Sequence, residues 1–242
     1  MTTGNVRGSG SSPTGGVRGA GHLFPASVVH VELFHDVPDD LFPEERQLVA
    51  QAVDKRLREF TTARSCAREA LRRLGHPAVP IPRAPSGAPV WPAGVVGSIT
   101  HCEGYRAAAV AGSADTAWLG LDAEPNLPLA DRSILSLISL PGERRHLAEL
   151  AAARAEVHWE RLLFSAKESV YKVWSPMAGR RLDFGDAEVD FSPEDGTFRA
   201  RATAPGAEGV RIFHGRWQLR DGILLTAVTV GRRPPVRRPA HG

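Results

Sequence analysis

Apolar positions along the chain change period several times, and each change marks an element. Residues 27–34 (SVVHVELF) alternate, the repeat of a half-buried strand. From Pro43 the spacing lengthens: Leu48, Val49, Ala52, Val53, Leu57 and Phe60 recur at helical intervals. Pro43 suits a first turn, Glu44 and Glu45 suit the positive end of a helix dipole, and Gly75 suits the stop. A helix is therefore predicted from 43 to about 74, with a break near Phe60-Thr61-Thr62. The Pro-rich run 77–92 must be a loop. Short strands are predicted at 95–99, 105–111 and 118–121. Helical spacing returns over 142–154 and 156–174, followed by strands at 187–191, 197–202, 210–219 and 223–230. Asp221-Gly222 supplies a hairpin turn between the last two. Helix followed by antiparallel strands, twice over, predicts an α+β fold of two similar lobes hinged near 121–130. The expected divisions are a disordered tail over 1–21, an N-terminal lobe over 22–121, a C-terminal lobe over 122–231 and a basic, Pro-rich tail over 232–242.

Composition narrows the class. Of 242 residues, 42% are hydrophobic and 24% charged, which supports a packed core. The formal net charge of +3 is mild and leans on Arg232, Arg233, Arg237 and Arg238 in the C-terminal tail, so it does not by itself argue for nucleic acid, and no nucleic-acid partner is expected. Two cysteines, Cys66 and Cys102, argue against a disulfide framework and a structural zinc site. No apolar run has the length of a membrane span, and the N-terminus has no apolar signal region. The expectation is a reducing, cytoplasmic setting with no membrane partner.

Candidate chemistry sits in four places. Asp122 and Glu124, two apart on a strand, face one side and repel each other unless solvated or met by a cation. Oxygen ligands of this kind suit Mg²⁺ or Mn²⁺; a solvated strand end is the ordinary alternative. Lys167, Glu168 and Lys172 lie on a predicted helix. Glu168 and Lys172 are i,i+4 neighbours, ordinarily an exposed pair, but here the flanks are apolar and aromatic. The chain holds only one other lysine, Lys55, and a compact ammonium suits phosphate. Ser98, Thr100 and His101 end a predicted strand, where hydroxyl and imidazole groups can hold phosphate oxygens or serve structure. Cys102 reads as packing. Arg56 and Arg64, two helical turns apart, and Arg83 in the Pro-rich loop offer guanidinium groups to phosphate or to solvent.

Gly97-Ser98-Ile99-Thr100-His101-Cys102-Glu103-Gly104-Tyr105-Arg106, Gly120-Leu121-Asp122-Ala123-Glu124-Pro125 and Ala166-Lys167-Glu168-Ser169-Val170-Tyr171-Lys172 follow in a specific order and spacing. With Phe60-Thr61-Thr62-Ala63-Arg64, the chain over about 30–230 resembles the phosphopantetheinyl transferases of the surfactin and enterobactin synthetase type, in their actinobacterial branch. The resemblance implies a pseudo-dimer of two α+β lobes with the site between them. It implies transfer of the 4′-phosphopantetheine arm of coenzyme A to a serine of an apo acyl or peptidyl carrier protein, releasing 3′,5′-ADP. By the same resemblance, Asp122 and Glu124 match metal-binding carboxylates for Mg²⁺, and Glu168 a further metal ligand, a base, or both. Position 123 is Ala, so water or phosphate oxygen must complete the metal shell. Lys172 matches a lysine that neutralises phosphate, and Lys167 flanks it. Thr100 and His101 match contacts to the coenzyme A phosphates, and Arg56, Arg64 and Arg83 cations at its 3′-phosphoadenosine end. The carrier is expected to be acidic near its serine and to dock around 134–141; carriers of polyketide, fatty-acid and peptide assembly all remain open. Two internal lobes suit a monomer. A non-catalytic module binding carriers or coenzyme A is the rival, as is a metal-binding fold with another phosphate ligand. The first rival predicts a lost carboxylate or lysine, and none is missing.

Overall fold

The computed structural model describes residues 23–131, 133–203 and 209–232. The elements run β1 (Val28–Leu33), α1 (Pro43–Gln47), α2 (Asp54–Arg73), β2 (Val95–Cys102), β3 (Tyr105–Gly112), β4 (Thr116–Pro125), α3 (Ser133–Ile138), α4 (Pro141–Ala153), α5 (Trp159–Ala178), β5 (Ala187–Ser192), β6 (Thr197–Ala202), β7 (Arg211–Arg220) and β8 (Ile223–Gly231). A 3₁₀ turn, Phe184–Asp186, leads into β5. The strands form two antiparallel sheets, ordered β1-β3-β2 and β4-β8-β7-β6-β5. Each is covered by one long helix, so the expected α+β plan is met with three strands in one lobe and five in the other.

Strand β3 explains how the layers stack. Its residues are buried on both faces except at the last position. Ala108 and Val110 meet Cys66, Ala67, Ala70 and Leu71 of α2, while Tyr105, Ala107 and Ala109 meet Leu119, Leu121 and Ala123 of β4. Alanine on both faces lets a helix and a second sheet close on one strand without overpacking. Beyond β4, Leu162, Ala166, Val170 and Trp174 of α5 enter the core with Phe198, Phe213, Leu224 and Val228. The order is helix, small sheet, large sheet, helix. Gly215 is required within it, because a Cβ there would come 2.0 Å from the Phe198 ring.

The two sheets meet edge to edge at β2 and β4, and hydroxyl groups join them. Ser98 Oγ accepts from Leu121 N at 3.0 Å, and Thr100 Oγ1 accepts from Ala123 N at 3.0 Å. A second link joins the lobes elsewhere. Glu32 of β1 receives Tyr105 Oη–H at 2.6 Å and an ion pair from Arg220 of β7.

Three expectations meet a different arrangement. The helical stretch from 43 breaks at 48–53, where Val53 is extended and opens α2, and α2 runs unbroken through Phe60-Thr61-Thr62. Thr62 serves there because its Oγ1 accepts from Val37 N at 3.2 Å. The strand expected at 118–121 reaches Pro125, so Asp122 and Glu124 lie on the strand itself. The boundary expected between 121 and 122 falls within β4, which pairs with β8 along its length. The tail over 1–21 and all of the C-terminal tail after Arg232 lie outside the described residues.

Candidate functional site

Strand β4 alternates its duties. Leu119, Leu121 and Ala123 fill the inter-sheet core. Gly120, Asp122 and Glu124 point the other way, toward α5. At Gly120 the helix comes so close that a Cβ would lie 2.0 Å from Ser169 O. Hydroxyls secure α5 to the neighbouring strand, since Thr226 of β8 donates to Ser165 O at 2.9 Å and exchanges a further bond with Ser165 Oγ at 2.9 Å. These contacts bring the α5 turn carrying Glu168 and Lys172 against the β2–β4 seam.

Lys172 occupies that seam. Its Nζ donates to Leu121 O at 2.8 Å, to Ile99 O at 3.4 Å and to Asp122 Oδ1 at 2.8 Å. Asp122 is buried, Thr100 Oγ1 donates to its Oδ1 at 3.4 Å, and its Oδ2 is buried without a hydrogen-bond partner. Glu124 is paired with Arg161, whose Nη1 lies 3.1 Å from Oε2 and whose Nη2 donates to Pro128 O at 2.8 Å. Burial and the Asp122 charge push the Glu124 carboxyl up to about 7, against the pull of Arg161. Burial and Asp122 also raise Glu168, with Lys172 opposing. The Asp122 charge thus disfavours the ionised forms of both Glu124 and Glu168 around one edge of β4.

A cleft of about 500 Å³ opens beside them, between β2 with its preceding loop and α5. Arg83, Trp91, Ile99, Trp118, Glu168 and Lys172 are among its walls. Asp122, Glu124, His101 and Arg56 lie outside that lining. At the other end of β2, Arg56 donates to His101 Nε2, which puts the ring proton on Nδ1, 3.5 Å from Glu59. Burial and the nearby Arg56 and Lys172 charges lower His101 to about 4, so its imidazole is neutral at neutral pH.

The carboxylates are hard oxygen donors of the kind a divalent cation takes. The buried, unpartnered Oδ2 of Asp122 and the repulsion that Asp122 exerts on Glu124 and on Glu168 are what a cation would relieve. Among the described residues no three His, Cys, Asp or Glu side chains lie close enough together to hold a metal ion by themselves. Mg²⁺ characteristically takes one or two carboxylates and completes its shell with water and phosphate oxygen.

Of the expected site residues, Asp122, Thr100 and Lys172 come into contact and Glu168 stands beside them. Two sites differ from expectation. Lys167 does not join Lys172: its Nζ is buried against Glu143 Oε2 at 2.8 Å and Phe184 O at 2.9 Å. Five residues on a helix turn through about 140° beyond one full turn, so the two ammonium groups face different surroundings. Arg64 is also buried, 3.7 Å from Glu45 and stacked over Phe60 at 4.5 Å, with its guanidinium lowered to about 10 by burial. Thr100 spends its hydroxyl on the seam, whereas Arg83 faces the cleft. Sequence reasoning passed over Arg161, seven residues before Glu168 and hence on the same helical face; that spacing was the available signal.

Comparison with known proteins gives a consistent result. Residues 44–111 match the 4′-phosphopantetheinyl transferase N-terminal domain, and 119–222 the 4′-phosphopantetheinyl transferase superfamily. The chain is 55% identical to 4′-phosphopantetheinyl transferase Svp of Streptomyces mobaraensis, over 86% of its own length and 87% of that protein's. It is 44% identical to 4′-phosphopantetheinyl transferase Npt of Nocardia iowensis, covering 85% and 97%. It is 40% identical to 4′-phosphopantetheinyl transferase PptT of Mycobacterium tuberculosis, covering 86% and 96%.

Proposed function

The chain belongs to the 4′-phosphopantetheinyl transferase superfamily, and on that ground, with the cleft beside α5, we propose that it transfers the 4′-phosphopantetheine arm of coenzyme A to a carrier-protein serine. The serine oxygen forms a bond to the phosphorus bearing the pantetheine arm. The bond from that phosphorus to the bridging oxygen breaks, and 3′,5′-ADP leaves with the electron pair. The serine proton passes to Glu168, directly or through one water.

The observation that carries this reading is the meeting of Lys172 and Asp122 at the seam, with Glu168 one helical turn back on the cleft wall. A carboxylate whose affinity for a proton is raised by burial is suited to general-base work near neutral pH. Lys172 sets a fixed positive charge beside the phosphates, held by two carbonyls so that little reorganisation accompanies the reaction. Arg83 offers a guanidinium from the opposite wall. The neutral His101, with Arg56 bonded to its ring, offers a polar edge to the coenzyme's phosphate end. Asp122, Glu124 and Glu168 would hold Mg²⁺. The cation, when bound, supplies Lewis acidity and offsets charge on the pyrophosphate.

The partner in this reading is an apo acyl or peptidyl carrier protein, acidic near its serine. Leu137 on α3 and Leu127 before it are 73% and 58% exposed and offer apolar contacts to such a partner. We read the chain as a cytoplasmic monomer. Its two cysteines are free, and no described helix is long and apolar enough to cross a membrane. Mass spectrometry of an apo carrier incubated with the protein, coenzyme A and Mg²⁺ tests the reaction. A gain of one phosphopantetheine is the expected result. Tight carrier binding without that gain would favour a non-catalytic binding module.

A further inference from the structure

Each lobe contains a buried glutamate built in the same way. In the first, Phe42-Pro43-Glu44-Glu45 opens α1; in the second, Leu140-Pro141-Gly142-Glu143 opens α4. In each, one carboxylate oxygen accepts the backbone N–H of the residue before the proline: Phe42 N at 3.2 Å, Leu140 N at 2.6 Å. The other oxygen accepts a distant backbone N–H, Ile81 N at 3.0 Å or Val189 N at 2.8 Å. Each carboxylate is neutralised by a cation from its lobe's long helix, Arg68 at 2.8 Å and Lys167 at 2.8 Å. The cations follow their glutamates by 23 and 24 residues. Lys167 thus has a counterpart in Arg68 of the other lobe.

A buried carboxylate with three hydrogen-bonding partners ties a short helix, a strand and a long helix together at one point in the second lobe. In the second lobe the long helix is α5. Successive residues of a helix project about 100° apart. Glu168 therefore projects between Lys167, tied to Glu143, and Ser169, whose carbonyl rests on Gly120. Lys172 lies about 40° further round from Glu168. Two tethers on either side of the Glu168 face hold the helix against rotation.

We infer that Lys167 is a positioning residue: through Glu143 it fixes the rotation of α5, presents Glu168 and Lys172 to the cleft, and makes no contact with coenzyme A phosphate. This rests on the reading of the cleft as the transfer site. The lysine side chain is 2% exposed, and withdrawing its ammonium toward a phosphate would strand Glu143.

The test uses the full chain with Lys167→Met, Lys167→Arg and Glu143→Gln, measuring coenzyme A affinity by calorimetry alongside kcat and KM for carrier modification. Coenzyme A affinity is expected to change to the same extent, within about twofold, in Lys167→Met and Glu143→Gln, since both release one tether, while kcat falls about tenfold or more in both and recovers partly in Lys167→Arg. A tenfold loss of coenzyme A affinity in Lys167→Met, with Glu143→Gln unaffected, would identify a phosphate contact and overturn the inference. Unchanged kcat in Glu143→Gln would overturn it too, and that variant decides alone if Lys167→Met does not fold. Wild type that binds coenzyme A yet transfers nothing would instead remove the reading beneath it.

Discussion

At the scale of single residues, the acids around β4 govern what pH and metal should do. Glu168→Gln keeps the side chain's shape and removes its basicity. Transfer is expected to fall by about 10²-fold or more with the fold intact, measured as carrier mass gain beside circular dichroism. The Glu124 carboxyl is raised from 4.5 to about 7. Between those values the folded chain holds a proton that the unfolded chain has released, so the contribution to stability falls as pH rises through 7. Glu168 is displaced in the same direction. Mg²⁺ favours the ionised carboxylates and should therefore raise Tm by several degrees at pH 8 and much less at pH 5. Equal shifts at the two pH values would count against these acids as its ligands. That Asp122 and Glu124 share a face of β4, and Glu168 and Lys172 a face of α5, was legible in the sequence, because two apart on a strand and four apart on a helix fix a common face. Lys167 was misread because adjacency in sequence means divergence on a helix, and no local pattern reveals a partner 24 residues away.

At the scale of elements, the distance between β4 and α5 is set by backbone. Gly120→Ala should force the strand and helix apart. A carbonyl cannot rotate away as a side chain can, so a cost of about 3 kcal/mol is expected, at the upper end for overpacking. Urea unfolding measures it, and a cost within about 0.5 kcal/mol would mean that the contact gives way. Most strands and both long helices were readable from period alone. The break at 48–53 was not, since Leu48, Val49, Ala52 and Val53 continue a helical repeat while Val53 is extended. Nor was the full length of β4, whose outer half carries polar residues because its neighbours are ions rather than apolar side chains.

At the scale of the molecule, two unequal lobes are joined by hydroxyls at the β2–β4 seam and by Glu32 with Arg220. Arg220→Met leaves Glu32 with Tyr105 alone. A loss of about 2 kcal/mol is expected for a charge-assisted bond of this kind, read as a fall in Tm of roughly 4–8 °C. No change in Tm would mean that the seam alone joins the lobes. Sequence disclosed two helix-and-sheet units but not how they attach. Ser98 and Thr100 read equally well as ligand contacts, and their carbonyl and amide partners on β4 carry no signature in the side-chain pattern.

The contact between Gly120 and Ser169 bears on how such an enzyme can be retooled. Because main chain rests on main chain there, Trp118, Tyr171 and Ser175 can be randomised around the cleft while the spacing at that contact persists. A library at those three cleft positions tests whether coenzyme analogues with enlarged arms can be admitted.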